Sequence, residues 1–363
     1  MKVKFSNSLG VLCLIALVIC TQLLTQVTGT PYYLTQLTMS AYYGLVVIGL
    51  TVLMGYAGQI SIGHAGFFAI GGYLSATLTT HNLIGFRENA IVKAFGSMGM
   101  LVEARDLYGE QLLVMTPWAA CITAVLVAAL IAFLLGIPVL KLKGHYLAMA
   151  TLGFGIIVFR IVLAFEYFGE ADGISEVPDF SLLPAIGRME PLTVSGGFGH
   201  RVENYYIAWG MLVIGLILLL NLINSRVGRA LRSIHGSEEA AEAIGVNTAR
   251  FKLYVFVLSA VYAAIAGVFL THYNGGIGPS EASVMKSVRY VALVAVGGMA
   301  NLWGALIMGV SLTFFSLRGV FGSYDDAVFG TILILVMLFA PNGILSVNMK
   351  ALLEKLKIKN CEL

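Results

Sequence analysis

Ser237-Glu238-Glu239-Ala240-Ala241-Glu242-Ala243-Ile244-Gly245 is a polar island between two long apolar runs, 205–223 and 252–272. It carries the pattern E-A-A-x-x-x-G at Glu239, Ala240, Ala241 and Gly245. Ser237 can cap a helix by accepting from its first backbone N–H groups. Glu238 and Glu239 then lie in the first turn, where the helix dipole favours negative charge. The alanines promote the helix, and Gly245 can end it in the left-handed conformation. The spacing predicts a helix of about two turns, roughly 10 Å long, whose small side chains suit a groove on a soluble partner. A plain loop with one helical turn is the simpler alternative.

The surroundings make such an island unusual. Hydrophobic residues are 58% of the 363 and charged residues 11%, where a soluble domain is about a quarter charged. Mean hydropathy is +0.88. Apolar runs fall at 11–29, 36–54, 62–80, 118–140, 145–165, 205–223, 252–272, 287–299, 303–318 and 327–345. They are continuous rather than alternating, which predicts an all-α, polytopic transmembrane bundle and not a β-barrel. The whole chain, 1–363, reads as a single transmembrane domain of about ten spans. The runs at 287–299 and 303–318 are short for a span of about 20 residues; fused, they would make nine. Met1-Lys2-Val3-Lys4 before the first run resembles a signal peptide, but no clear small-x-small cleavage site follows, so it reads as the first span.

Charge placement sets the orientation, because Lys and Arg concentrate on cytoplasmic loops. Basic residues cluster at Lys2 and Lys4, at Lys141 and Lys143, and at Arg226, Arg229, Arg232, Arg250 and Lys252. The tail adds Lys350, Lys355, Lys357 and Lys359. The 166–204 loop is acidic, with Glu166, Glu170, Asp172, Glu176, Asp179, Glu190 and Glu203 against Arg188 and Arg201. Ten spans put all four basic segments and both termini in the cytoplasm. The 81–117 and 166–204 loops are then external, and 224–252 is a cytoplasmic coupling loop. The 81–117 segment has mixed charge and reads as a short amphipathic insert.

Cys13, Cys20, Cys121 and Cys361 form no C-x-x-C pair, so neither a disulfide framework nor a zinc site is indicated. A net charge of +3 gives no argument for nucleic acid. No constellation for catalysis is present. No G-x-x-x-x-G-K-[ST] occurs, so ATP, if it drives the machine, binds elsewhere. No cofactor of the chain's own is expected.

Two runs end in glycine-rich breaks, Gly55–Phe67 and Gly297–Gly304. Such paired interruptions point to a transport pathway. Gly58, Gln59, Ser61, Gly63 and His64 are the candidate lining residues; glycines that merely permit close packing are the rival explanation. His64 and His145 could relay protons, but no intramembrane carboxylate stands beside either, and a helix-end hydrogen bond is the plainer role. Arg160 is expected near the outer end of its run, paired with Glu166, with a place in the transport pathway as the alternative.

Several of these stretches resemble one family. E-A-A-x-x-x-G in a large basic loop is the signature of permease subunits of ATP-binding-cassette importers. GYAGQISIGHAGF (55–67), KGHYLAMATLGF (143–154), Gly245-Val246-Asn247 and Ala340-Pro341-Asn342-Gly343 are similar to the branched-chain amino acid permeases. The resemblance covers most of 36–345. It implies an importer in the cytoplasmic (inner) membrane of a prokaryote. It also implies a second homologous permease, two ATPase subunits using ATP, and a periplasmic or extracellular solute-binding protein. The solutes expected are leucine, isoleucine and valine. A related family moves urea or short amides, and an ion-coupled secondary transporter is the alternative from another class. The sequence departs from the family in its external loop, where a T-G-G-x-D-G segment is reduced to Asp172-Gly173, and in the 81–117 insert. Both departures bear on solute and binding-protein choice.

Overall fold

The computed structural model describes residues 2–82, 84–86, 96, 99–105, 111–142, 144–183, 192–340 and 343. Lys143, Glu190, Arg188, Pro341, Asn342, the tail lysines, Cys361 and, in the 81–117 insert, residues 83, 87–95, 97–98 and 106–110 lie outside the described residues.

Twelve α-helices run through the described residues. They are α1 (Lys2–Val27), α2 (Tyr32–Thr51), α3 (His64–Thr80), α4 (Pro117–Val139), α5 (His145–Ala164) and α6 (Arg201–Asn224). Then come α7 (Arg226–Gly236), α8 (Glu238–Ala243), α9 (Thr248–Asn274), α10 (Val284–Gly297), α11 (Leu302–Leu317) and α12 (Asp325–Phe339). Each predicted apolar run coincides with one helix. Seven helical segments are long and apolar enough to cross a membrane by length and composition, and Leu302–Leu317 is a shorter apolar helix.

The fused-helix alternative for 287–318 does not hold. Gly298 takes φ +101°, a conformation that breaks a helix, and the Asn301 side chain caps α11 by accepting from the Gly304 N–H at 3.1 Å. The chain doubles back so tightly that a Cβ on Gly297 would stand 2.4 Å from the Ala305 Cα.

The all-α expectation needs one addition. Three two-stranded antiparallel ladders are present. In the 81–117 insert, β1 (Leu101–Arg105) pairs with β2 (Gln111–Met115), Leu101 opposite Met115. In the acidic loop, β4 (Phe180–Leu183) pairs with β5 (Leu192–Val194). Finally β3 (Ile174–Ser175) pairs with β6 (Gly276–Ile277), joining the acidic loop to the turn after α9. These strands are too short for periodicity to reveal them. Gly169 and Gly173, both with positive φ, close the turn before β3; a Cβ on Gly169 would lie 1.9 Å from the Gly173 oxygen.

The centre of the bundle is α2, buried along most of its length, beside α3 and α9. The last two are parallel and very close. A Cβ on Gly71 would stand 2.3 Å from the Ala264 oxygen, and one on Gly267 would stand 2.0 Å from the Phe68 oxygen. Small residues let helix backbones approach in lipid, where no hydrophobic force drives them together. α1 and α12 stand at the periphery with mostly exposed faces.

Candidate functional site

The first break begins where α2 widens into a single π-turn, Val52–Tyr56. Gly55 is required there, since a Cβ would stand 1.5 Å from the Met299 oxygen. Gly58 then takes φ +67° and lies against His235 of α7, whose ring nitrogen would be 2.9 Å from a Cβ. The two glycine-rich breaks, far apart in sequence, therefore touch. The Tyr56 hydroxyl donates to the Ala300 oxygen at 3.0 Å, and Gly343 closes against Gly298.

Broken backbone inside a membrane protein must find its partners in neighbouring helices. The Gln59 N–H donates back to the Leu53 oxygen at 3.2 Å. The Ile62 N–H donates to the Thr151 hydroxyl of α5 at 3.0 Å. The Ala65 N–H donates to the Ser287 hydroxyl of α10 at 3.1 Å. Gly63 presses on the Thr151 carbonyl, where a Cβ would have 2.4 Å. His64 is buried and bonded on both sides, Nδ1 to Ser61 at 2.9 Å and Nε2 to Ser259 of α9 at 2.8 Å. Phe67 and Phe256 meet its ring edge-on. His64 thus begins α3 with both ring nitrogens hydrogen-bonded.

Gln59 differs from its neighbours. It is 2% exposed, and both side-chain polar atoms are buried with no hydrogen-bond partner. Of the five candidate lining residues, only this one presents unspent polar groups.

The island at 237–245 folds as its residues dictate. Ser237 accepts from the Ala240 N–H at 3.3 Å and caps α8. The helix ends in a Schellman motif: the Gly245 N–H donates to Glu242 at 2.9 Å and the Val246 N–H to Ala241 at 3.0 Å. Gly245 takes φ +85° in open space. Ala241 is buried, whereas Glu239, Ala240 and Gly245 are exposed and Ile244 is 75% exposed at the tip. Glu238 pairs with Lys252 of α9, and the Thr248 hydroxyl donates to Glu242 at 2.5 Å. A cleft of about 450 Å³ separates this helix from the end of α4 at Lys141.

Two struts link the island to the break. Through α7, His235 meets Gly58 and the Arg232 guanidinium lies over the Tyr56 ring, 5.8 Å from its centroid. Through α9, Lys252 holds Glu238 and Ser259 holds His64.

Arg160 does not pair with Glu166. It is exposed on α5, and no described residue is its partner. His145 is likewise exposed at the start of α5.

Residue patterns missed two polar clusters. His272 of α9 bonds Ser75 of α3 at 2.8 Å and the Pro178 oxygen at 2.7 Å. The arrangement is the reciprocal of His64 on Ser259, with histidine and serine exchanged between the same two helices. The other cluster gathers around Glu281, which sits in the short Pro279–Ala282 turn between two apolar runs. Glu281 accepts from Lys286 at 2.8 Å and from the Tyr43 hydroxyl at 3.0 Å. The one available signal was the Glu281/Lys286 pair of opposite charges beside a short run.

Among the described residues no group of His, Cys, Asp and Glu could hold a metal ion. The family described as the permease component of the branched-chain amino acid transport system matches residues 32–337. The high-affinity branched-chain amino acid transport system permease protein LivM of Escherichia coli K12 is 29% identical over 340 residues, covering 89% of this chain and 71% of the relative. The Salmonella typhimurium LivM is 30% identical, covering 85% and 68%. The LivH permease protein of Escherichia coli K12 is 27% identical, covering 86% and 96%. No solved structure matches the chain.

Proposed function

The chain belongs to the branched-chain amino acid transport permease family, and on that premise we propose that it is the membrane subunit of an ATP-driven importer of leucine, isoleucine and valine. Its partners are a second, homologous permease, two ATPase subunits and an extracytoplasmic solute-binding protein. The observation that carries the proposal is α8, a capped and exposed helix tied by Glu238–Lys252 to a spanning helix. Glu239, Ala240, Ile244 and Gly245 form its free surface, onto which the ATPase docks. Closure of the ATPase dimer shifts α8, and α7 and α9 transmit that shift to the break at Gly58–His64. Gly58, Gln59, Ser61, Gly63 and His64 form one wall of the pathway, with the unpaired Gln59 amide as its polar contact and the other four as its frame.

The chain crosses the inner membrane ten times with both termini cytoplasmic. In support, segments assigned to one side touch one another. The first break meets the second and His235 at the basic end, and β3 meets β6 at the acidic end.

Vesicles carrying the assembled importer test the reading with labelled leucine, isoleucine, valine, urea and acetamide. ATP-dependent uptake of the three amino acids is expected. Uptake of urea or acetamide alone, or leucine uptake driven by an ion gradient without ATP, would overturn it.

A further inference from the structure

The turn between α9 and α10 does not stay at the rim of the bundle. It carries Glu281 to the Tyr43 hydroxyl, and Tyr43 is the twelfth of the twenty residues of α2. The helix that follows, α10, has only fourteen residues, about 21 Å at 1.5 Å per residue. It is shorter than a full span, and its N-terminus is capped by Ser283, which accepts from the Lys286 N–H, with the Glu281 and Lys286 side chains 18% and 21% exposed beside it.

At that point the protein's own hydrogen bonds run out. One oxygen of Glu281 receives both Lys286 and Tyr43, and its other oxygen is buried without a partner. The hydroxyls of Tyr73 on α3 and Tyr290 on α10 are also buried and unpartnered, in residues 1% and 2% exposed. The Tyr43 hydroxyl bonds Glu281 at 3.0 Å, the Tyr43 and Tyr290 rings are 6.2 Å apart, and α3, which carries Tyr73, packs against the Pro279–Ala282 turn. A bare carboxylate oxygen seeks a donor; hydroxyls beside an ammonium and a helix N-terminus supply an acceptor with partners. Buried polar groups left unmatched are costly and call for explanation.

We propose that Tyr43, Tyr73, Glu281, Lys286 and Tyr290 form a way-station for the zwitterionic head of an α-amino acid. Glu281 accepts from its ammonium, and the two free hydroxyls with Lys286 donate to its carboxylate. The site rests on the proposed function and names the part of the solute that the permease itself recognises. Because it reads the head and not the side chain, it treats leucine, isoleucine and valine alike.

The test uses the full importer in vesicles, with binding protein saturated by each amino acid in turn. Tyr73→Phe and Tyr290→Phe remove hydroxyls that bond nothing in the protein, so membrane level and assembly with the partner subunits stay at wild type. Each is expected to slow uptake about tenfold, the worth of one hydrogen bond to a charged group, and by the same factor for all three solutes. Glu281→Gln is expected to slow it further. Wild-type rates in both tyrosine variants would overturn the site, with water as the occupant. A loss confined to one of the three amino acids would overturn the zwitterion assignment. If the wild-type importer moves urea or acetamide and none of the three, the proposed function fails and the site falls with it; if it moves leucine and the hydroxyl deletions are silent, only the site fails.

Discussion

The clusters around His64 and around Glu281 are both polar and both join helices distant in sequence; the first is buried throughout, whereas Glu281 and Lys286 of the second keep 18% and 21% of their side chains exposed. They differ in closure. Around His64 each ring nitrogen has a serine, and two nearby backbone N–H groups have hydroxyls from α5 and α10. Around Glu281 three polar atoms have nothing. A closed network fixes one arrangement and resists change, because every broken bond leaves a buried group unpaired. An open one contributes less to architecture and keeps its capacity for something that passes through. The first holds the joint at which helices meet; the second stands where solute is expected.

The largest expected effect comes from breaking the closed cluster. His64→Ala removes a ring packed against Phe67 and Phe256 and strips Ser61 and Ser259 of a partner. A cost of about 3 kcal/mol or more follows from cavity and unpaired hydroxyls together. The thermal unfolding midpoint of the purified permease in detergent reads it directly. An unshifted midpoint would show that the network is not what joins α3 to α9.

Next in size is the strut between α8 and α9. Lys252→Met removes the ammonium that pairs with the Glu238 carboxylate, and the Thr248 hydroxyl, which donates to Glu242, cannot replace it. The cost is about 1–2 kcal/mol, since hydrogen bonds to charged groups are worth that much or a little more. The sharper readout is coupling: amino acid imported per ATP hydrolysed should fall while ATP hydrolysis continues. Unchanged stoichiometry would mean that α9 carries none of the motion.

Much of this was legible in the residues. The apolar runs located the spanning helices, and the Ser237 cap and Gly245 stop defined α8 to the residue, because each of those signals is local. The two glycine-rich breaks could be named from sequence, but not that they touch, since the contact of Gly55 with Met299 spans most of the chain. The Glu281 site was invisible for a related reason. Its residues come from three helices and a turn, and its evidence is a lack of partners, which no linear pattern encodes. Arg160 shows the converse failure. Proximity to Glu166 in sequence suggested a pair, yet Arg160 stands exposed on α5 with no described partner.

A smaller expected effect comes from Gly245→Ala. The φ of +85° costs a side chain about 1–2 kcal/mol, but open space around the position confines the strain to the end of α8. The permease should keep its unfolding midpoint and lose copurifying ATPase. A midpoint drop comparable to that of His64→Ala would mean that α8 belongs to the core and not to a docking surface.

The smallest expected effect on stability is also the most telling. Tyr290→Phe removes an oxygen that bonds nothing and leaves the ring beside Tyr43, tilted 41° to it. Its desolvation was a cost without return, so the variant should be as stable as the wild type or slightly more so, within about 0.5 kcal/mol. The same logic covers Tyr73→Phe. Against His64→Ala this is a clean inversion: one change destabilises the protein by breaking bonds it makes to itself, the other leaves it intact and removes a hydroxyl whose proposed partner is the cargo. If Tyr290→Phe instead lowers stability by about 1 kcal/mol or more, the hydroxyl has a partner within the protein, and the two clusters are alike after all.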